Sequence, residues 1–408
     1  MRKVLLLLFA TIMMFTGCSS ENTKNTNNIV VNSDLPNYQY MFNLNKTCPI
    51  QKTHGGYYVM SSDFLYYVDE KSLDAVPLCN KSNCMHTQED KDCNAYFETT
   101  DSCYDIQVYK NYVYILKNEI SEDMDGIFNN VSVLYKVSLD GSTRDKCYTF
   151  DNYVNQFFII DDNIYYDIIN KDSDSYESNV NNNIYKKSLN GSDSPKLLVD
   201  YSDFKGHYKY GCSIKNIYKG KLYVYETYQT IKNTTNTKKP YIFKMNFSII
   251  DLNTGKKINE FPMDTDGTSN YFAGICGSKN QLFRSVLNEK KNIETYYLSD
   301  LDGNNPKEVF TQNLNKNGTV KYETICDDKY IYVDNVNENS SKNRCIEVYD
   351  TSGKKISKVY YPNDSEGLHI VVQGDEKYLW LNGNGNAYAV DKSQLLKNNS
   401  KFTVKQIT

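Results

Sequence analysis

Four side chains that lie close together in the sequence carry the donor set of a metal site. Cys79, Cys84, His86 and Cys93 fall within Pro77-Leu78-Cys79-Asn80-Lys81-Ser82-Asn83-Cys84-Met85-His86 and the following Cys93-Asn94-Ala95-Tyr96-Phe97. Three thiolates and one imidazole complete a tetrahedral zinc site, and a polar loop without a core of its own gains order from such an ion. The same thiols suit a local disulfide, Cys79 with Cys84 or with Cys93, in an exported chain whose thiols can oxidise. Spacing leaves both a structural zinc ion and a disulfide open. Cys48 and Cys103 flank the cluster as further partners, whereas Cys276 and Cys326 fall inside strand patterns and read as core.

Acidic side chains form the second group. Glu119, Asp123 and Asp125 sit in a long polar segment at about 118–130, and Asp172, Asp174 and Glu177 in the next, at about 170–183. A third segment, 227–240, carries Lys232, Lys238 and Lys239 instead. Residues 172–177 offer hard oxygen ligands, but they lack the glycine and the further ligands of a calcium loop, so solvated loops on a ligand-binding face are expected. Catalytic motifs are missing: the histidines are His54, His86, His207 and His369, and no G-x-S-x-G, H-E-x-x-H or phosphate loop occurs. No catalytic residue is assigned. Two carboxylates at the correct separation would still cleave a glycoside, and the acids of these loops or strand-end acids such as Asp327 and Asp375 are the candidates for that chemistry.

The N-terminus places the chain. Met1-Arg2-Lys3, the apolar run 4–15 and Thr16-Gly17-Cys18-Ser19-Ser20 follow the order of a secretory signal, and the run is short for a bilayer span. Cys18 directly after Gly17 resembles a bacterial lipobox, although Phe15 stands where leucine is usual. The resemblance implies a lipoprotein: 1–17 is the signal peptide, and Cys18 is acylated, palmitate-fashion, as the mature N-terminus. An ordinary cleaved signal is the alternative. Residues 18–36 then read as lipid anchor and flexible tether, the coil reaching about 20–25 Å. The expected address is extracytoplasmic, at the bacterial cell membrane, with the lipid as the membrane contact.

The elements that position these groups show themselves as a repeat. A branched aliphatic residue followed by an aromatic recurs as Leu65-Tyr66, Val113-Tyr114, Ile164-Tyr165, Leu222-Tyr223, Leu282-Phe283, Ile331-Tyr332 and Leu379-Trp380, at intervals of 48 to 60 residues. A polar turn precedes each pair. A second hairpin follows in most units, as in Leu134–Gly141, Ile184–Gly191 and Tyr296–Gly303, whose Asp-Gly or Asn-Gly supplies the positive φ of a tight turn. Four strands per unit and seven units describe an all-β, seven-bladed β-propeller over residues 37–408, with six or eight blades as neighbouring counts and a row of β-sandwiches as the structural alternative. The first unit is ambiguous: residues 64–69 fit a second or a third strand, with 38–42 available as an extra one. Ring closure is expected through the chain ends, with 402–407 as the outermost strand of the last blade.

Composition agrees with a folded, exported domain. Among 408 residues, 37 Tyr, 17 Phe and 1 Trp are too many rings for a disordered chain. Alternation along strands places most of the tyrosines between blades. Lys plus Arg is 46 against 50 for Asp plus Glu, a formal charge of -4, which argues against nucleic acid as a partner.

The aromatic second strand paired with a Tyr-Lys-x-Ser-Leu-Asp-Gly-Ser hairpin, as at Tyr135–Ser142, resembles the YWTD propellers of low-density-lipoprotein-receptor-related proteins. It is similar also to a TolB-like bacterial lipoprotein family, which shares the Cys79–Cys93 signature. The Trp-Thr-Asp part is absent here, and the likeness implies a fold without a chemistry. Two functions follow as expectations. One is a lipid-anchored, monomeric propeller that binds a protein, peptide or glycan. The other is a surface hydrolase or lyase acting on polysaccharide or peptide.

Overall fold

The computed structural model describes residues 49–408 apart from 99–104, 123–127, 170–182, 202–206, 232–240, 264–267, 277–278, 315–318, 338–343, 364–366, 373 and 384. Residues 1–48 lie outside the described part, and with them Cys18, the signal peptide, the tether, Cys48 and the 38–42 segment. Seven antiparallel four-stranded sheets follow one another, each with its strands side by side in chain order. They span residues 50–77, 105–150, 153–199, 207–263, 268–313, 319–360 and 369–406. Each sheet shares an apolar core with the next, and the seventh shares one with the first through Ile50, Tyr57, Val59, Tyr378, Trp380 and Ala389. A ring of sheets packed face to face is a seven-bladed β-propeller, and the row of sandwiches falls away. The rings do fill the spaces between blades: Tyr57, Tyr58, Tyr223, Tyr296 and Tyr332 are among the largest fully buried side chains.

The first unit needs a correction. Leu65-Tyr66 lies on the third strand, Phe64–Asp69, while the second strand is Gly56–Ser61 and the first is Ile50–Thr53. The second strand carries its aromatics before the aliphatic residue, as Tyr57-Tyr58-Val59, whereas Leu65-Tyr66 on the third strand meets the aliphatic–aromatic pattern, so the pattern slips by one strand here. Closure also differs in detail. The outermost strand of blade seven is only Lys405–Gln406, and Phe402 is buried instead between blades six and seven. Among the described residues no strand is exchanged across the seam, and side-chain contacts hold it. The Thr408 hydroxyl donates to Ser61 Oγ at 2.7 Å, Ser61 Oγ donates to Gly385 O at 3.0 Å, and the Tyr57 and Trp380 rings meet edge to face at 4.8 Å.

Turns between third and fourth strands join neighbouring blades. Asp251, Asp300 and Asp350 each open such a turn and accept backbone N–H bonds within it, from Thr254, Asn304 and Ser352 among others. The glycine that follows has a positive φ, 89° at Gly353, and lies flat on the outer strand of the preceding blade, where a Cβ would collide with the Val309 carbonyl oxygen. Gly303 meets Phe261 of blade four in the same way. The repeated Asp-to-Gly signature is therefore both a turn and a blade-to-blade contact.

Candidate metal centre and ligand-bearing face

The metal-site candidates lie on the connection from blade one to blade two. This segment leaves the outer strand Ala75–Pro77 and turns back on itself through hydrogen bonds from Cys84 N to Lys81 O (3.2 Å), Cys93 N to Asp90 O (3.0 Å) and Tyr96 N to Cys93 O (3.2 Å). The turns bring the sulfurs of Cys79, Cys84 and Cys93 and a ring nitrogen of His86 to within 4.8 Å of one another. Cys93 Sγ lies 3.6 Å from His86 Nδ1. Zinc–sulfur bonds of about 2.3 Å place tetrahedral sulfurs about 3.8 Å apart, so the donor set closes on a metal ion with only small movements. Cys93 is fully buried among Ala95, Tyr96 and Phe64, and the other three are half-buried. All eight described cysteines are free thiols, so the local disulfide is not formed here. Cys103 lies outside the described residues.

The electrostatics of the cluster are uneven. Burial pushes Cys79 up, but N–H groups of Lys81 and Asn94 and the thiols of Cys84 and Cys93 more than offset it, leaving Cys79 below its ordinary 9.0. Cys84 is pushed up to about 12 by burial and by the Asp90 carboxylate, and burial raises Cys93 as well. Backbone N–H groups aimed at one sulfur favour a thiolate before any ion arrives.

Residues outside the motif hold the loop to the propeller. Arg144, on the outer strand of blade two, donates to Cys93 O at 2.8 Å, Tyr96 O at 2.5 Å and Lys91 O at 3.2 Å. Asn94 Nδ2 and Asn80 N both donate to Gly141 O, and Phe97 N donates to Asp63 O at 2.7 Å. The loop thus spans blades one and two. Sequence reading missed Arg144, because a cation 51 residues beyond Cys93 carries no local signal.

The acidic group divides differently. Asp123, Asp125, Asp172, Asp174 and Glu177 lie outside the described residues. Glu119 sits inside the second strand of blade two, Tyr112–Glu122, and accepts a hydrogen bond from Tyr135 Oη at 2.7 Å. Much of the expected loop at 118–130 is in fact hairpin, paired to Glu122 opposite Phe128, and 227–231 likewise continues the second strand of blade four. These two hairpins have strands of 11 residues against 6 in the second strands of blades one and seven. Their additional length stands out by about 15 Å on the face that carries the second-to-third-strand turns.

Asp327 and Asp375 are occupied by the fold. Asp375 is wholly buried: Oδ1 accepts the N–H groups of Lys377 and Tyr378 at 2.8 Å each, and Oδ2 takes the Tyr57 hydroxyl and lies 3.1 Å from Lys52 Nζ. Asp327 caps the corresponding turn of blade six and accepts Tyr332 Oη at 2.8 Å and Lys392 Nζ at 2.6 Å.

No protein-family model matches this sequence, and no curated protein matches it either. Among solved structures, a PL25 ulvan lyase aligns over 90% of this chain and 97% of its own, at 10% identity and a TM-score of 0.49. An oligogalacturonate lyase from Vibrio parahaemolyticus covers 78% of this chain and 77% of its own, at 12% identity and a TM-score of 0.45. Prolyl oligopeptidase B from Galerina marginata covers 91% of this chain at 10% identity and a TM-score of 0.50, and the chain spans 51% of that enzyme. At such identities the shared property is the fold.

Proposed function

We propose that this protein is a monomeric, lipid-anchored extracytoplasmic propeller that binds a protein, peptide or glycan on the face carrying the long hairpins of blades two and four. Binding is favoured over hydrolysis or elimination by the state of Asp327 and Asp375. Of the two strand-end acids, Asp375 is buried and Asp327 half-buried, and both are engaged by tyrosines and lysines, where they serve turns and blade contacts. Zinc held by Cys79, Cys84, His86 and Cys93 is the second part of the reading. In this role the ion clamps the blade one to blade two connection and performs no chemistry, since all four protein donors fill its shell.

Three measurements test the proposal. Purified protein incubated with polysaccharide and peptide panels should retain a ligand saturably and release no new reducing ends, unsaturated sugars or amines; catalytic release would overturn the binding reading. Metal analysis should find zinc that Cys93→Ser loses, with the thermal midpoint falling by several degrees. Membrane fractionation should find the chain with the membrane and Cys18→Ala released from it; an unchanged distribution would overturn the anchor.

A further inference from the structure

Two thiols remote from the metal-site loop meet inside the fold. The first strands of blades five and six, Thr268–Cys276 and Thr319–Cys326, lie side by side, and each ends on a cysteine. The ladders decide where these end residues point. Cys276 pairs with Gln281, one residue before Leu282-Phe283, whereas Cys326 pairs with Ile331, the first residue of Ile331-Tyr332. An offset of one residue turns a side chain to the opposite face of its sheet. Ile275 accordingly packs back toward blade four and Cys276 forward, while Ile325 packs forward toward blade seven and Cys326 back. Both cysteines therefore enter one core, with Phe283, Tyr296, Phe310 and Val333, and their sulfurs lie 3.2 Å apart.

A disulfide sets its sulfurs about 2.05 Å apart, so a gap of about 1 Å remains, which small side-chain rotations close without moving either strand. Cys147 and Cys212 belong to other blade interfaces and do not compete for these thiols. We propose that Cys276 and Cys326 form a disulfide that ties blade five to blade six as the chain folds outside the cytoplasm. The proposal rests on the extracytoplasmic address above, which supplies an oxidising compartment. The oxidant is the reactive disulfide of an exported oxidoreductase. One cysteine thiolate attacks that disulfide, forming a mixed disulfide and expelling one oxidant thiolate; the second cysteine attacks the mixed disulfide at the first cysteine's sulfur, and the other oxidant thiolate leaves. The chain gives up two electrons and two protons, and the oxidant becomes a dithiol. Exchange precedes packing, because in the closed ring Cys276 is wholly buried and Cys326 is 2% exposed. Burial, followed by the Cys276 thiol and the Asp327 and Asp328 carboxylates, also raises Cys326 well above its ordinary 9.0 and suppresses its thiolate. Once made, the bond closes residues 276–326 into a covalent loop and restricts the unfolded chain.

Thiol trapping tests the bond. Cells expressing the full chain are quenched with N-ethylmaleimide before lysis, the membrane and soluble fractions are denatured in urea, and peptides are mapped by mass spectrometry without reductant. The peptides carrying Cys276 and Cys326 should appear as one linked species, two hydrogens lighter than the separate thiol forms, and both cysteines should take label only after reduction. Label on both cysteines in the unreduced chain, or linkage of either to another cysteine, would overturn the bond. In the folded chain, tris(2-carboxyethyl)phosphine should open it more than about a hundredfold more slowly than in urea, since the blade interface has to open first. Equal rates would overturn a bond in this core. Cys276→Ala should leave Cys326 open to label in urea without reduction, and a Cys326 still blocked there would overturn the pairing. A linked pair in a chain that fractionates away from the membrane would overturn the anchor and leave the bond, whereas two labelled thiols in a membrane-bound chain would overturn the bond and leave the anchor.

Discussion

Asp375 shows how one residue type can serve two different readings. From sequence it is a strand-end acid, available to chemistry; in the fold it latches blade seven to Tyr57 and Lys52 of blade one. Burial pushes its carboxyl up, but the Tyr57 hydroxyl, the Tyr378 N–H, the Lys52 ammonium and the Lys377 N–H hold it below the ordinary 3.8. A carboxyl depressed in the folded state stabilises the protein above its unfolded value, near 3.9, and that contribution is lost as pH falls through the folded value. Asp334 has the opposite sign, since burial leaves it above 3.8 despite its ion pair with Arg344, and protonation on acidification relieves its cost. The seam between blades seven and one should therefore weaken below about pH 4 while the Asp334 contact does not. Asp375→Asn should cost about 3 kcal/mol at neutral pH, as breaking a buried ion pair does, and should flatten the acid limb of a midpoint-against-pH curve. An unchanged acid limb would assign acid sensitivity to other carboxyls.

At the scale of elements, the blade-to-blade glycine can be separated from ordinary turn strain. Gly353 and Gly220 have similar positive φ values, 89° and 73°, yet a Cβ at Gly353 collides with blade five while one at Gly220 meets nothing within 4 Å. Gly220→Ala should cost about 1 kcal/mol through backbone strain alone, and Gly353→Ala about 2–3 kcal/mol, both read from urea midpoints. Equal costs would mean that the outer strand shifts freely. The same contrast explains what the sequence makes legible. Six second strands are found by their aliphatic–aromatic pairs because side-chain alternation forces those rings into the spaces between blades. The first blade slips because its second strand carries the order reversed, Tyr58-Val59, and its third strand carries the pair, Leu65-Tyr66. Hairpin extension at 118–122 is hidden because Asn118, Glu119 and Glu122 look like loop residues, and their strand state comes from pairing with 128–132 across the hairpin. The donor set of the candidate metal site was legible from local spacing. Its anchor, Arg144, was not, since the fold and not the motif brings it there.

For the whole molecule, ring closure is the point at which the seven interfaces cease to be equivalent. Six are crossed by the polypeptide between consecutive blades, while the seventh, between blades seven and one, is held among the described residues by side-chain packing, the Asp375 contacts to Tyr57 and Lys52, and the contacts of Ser61, Lys405 and Thr408. Loss of that interface frees both chain ends, so its opening gains more entropy than opening any other. The single tryptophan lies in it: Trp380 is fully buried between Tyr57, Tyr378 and Ala389, and no hydrogen bond holds its indole N–H, so packing alone fixes its surroundings. Its fluorescence is thus a reporter of the seam and of nothing else. In a urea titration the emission should shift to the red before far-ultraviolet circular dichroism falls, and a chain ending at residue 404, without the last strand and Ile407, should widen the gap between the two transitions. Coincident transitions in both chains would show that the ring unfolds as one cooperative unit and that the Asp375 latch makes its seam as strong as its covalently connected interfaces.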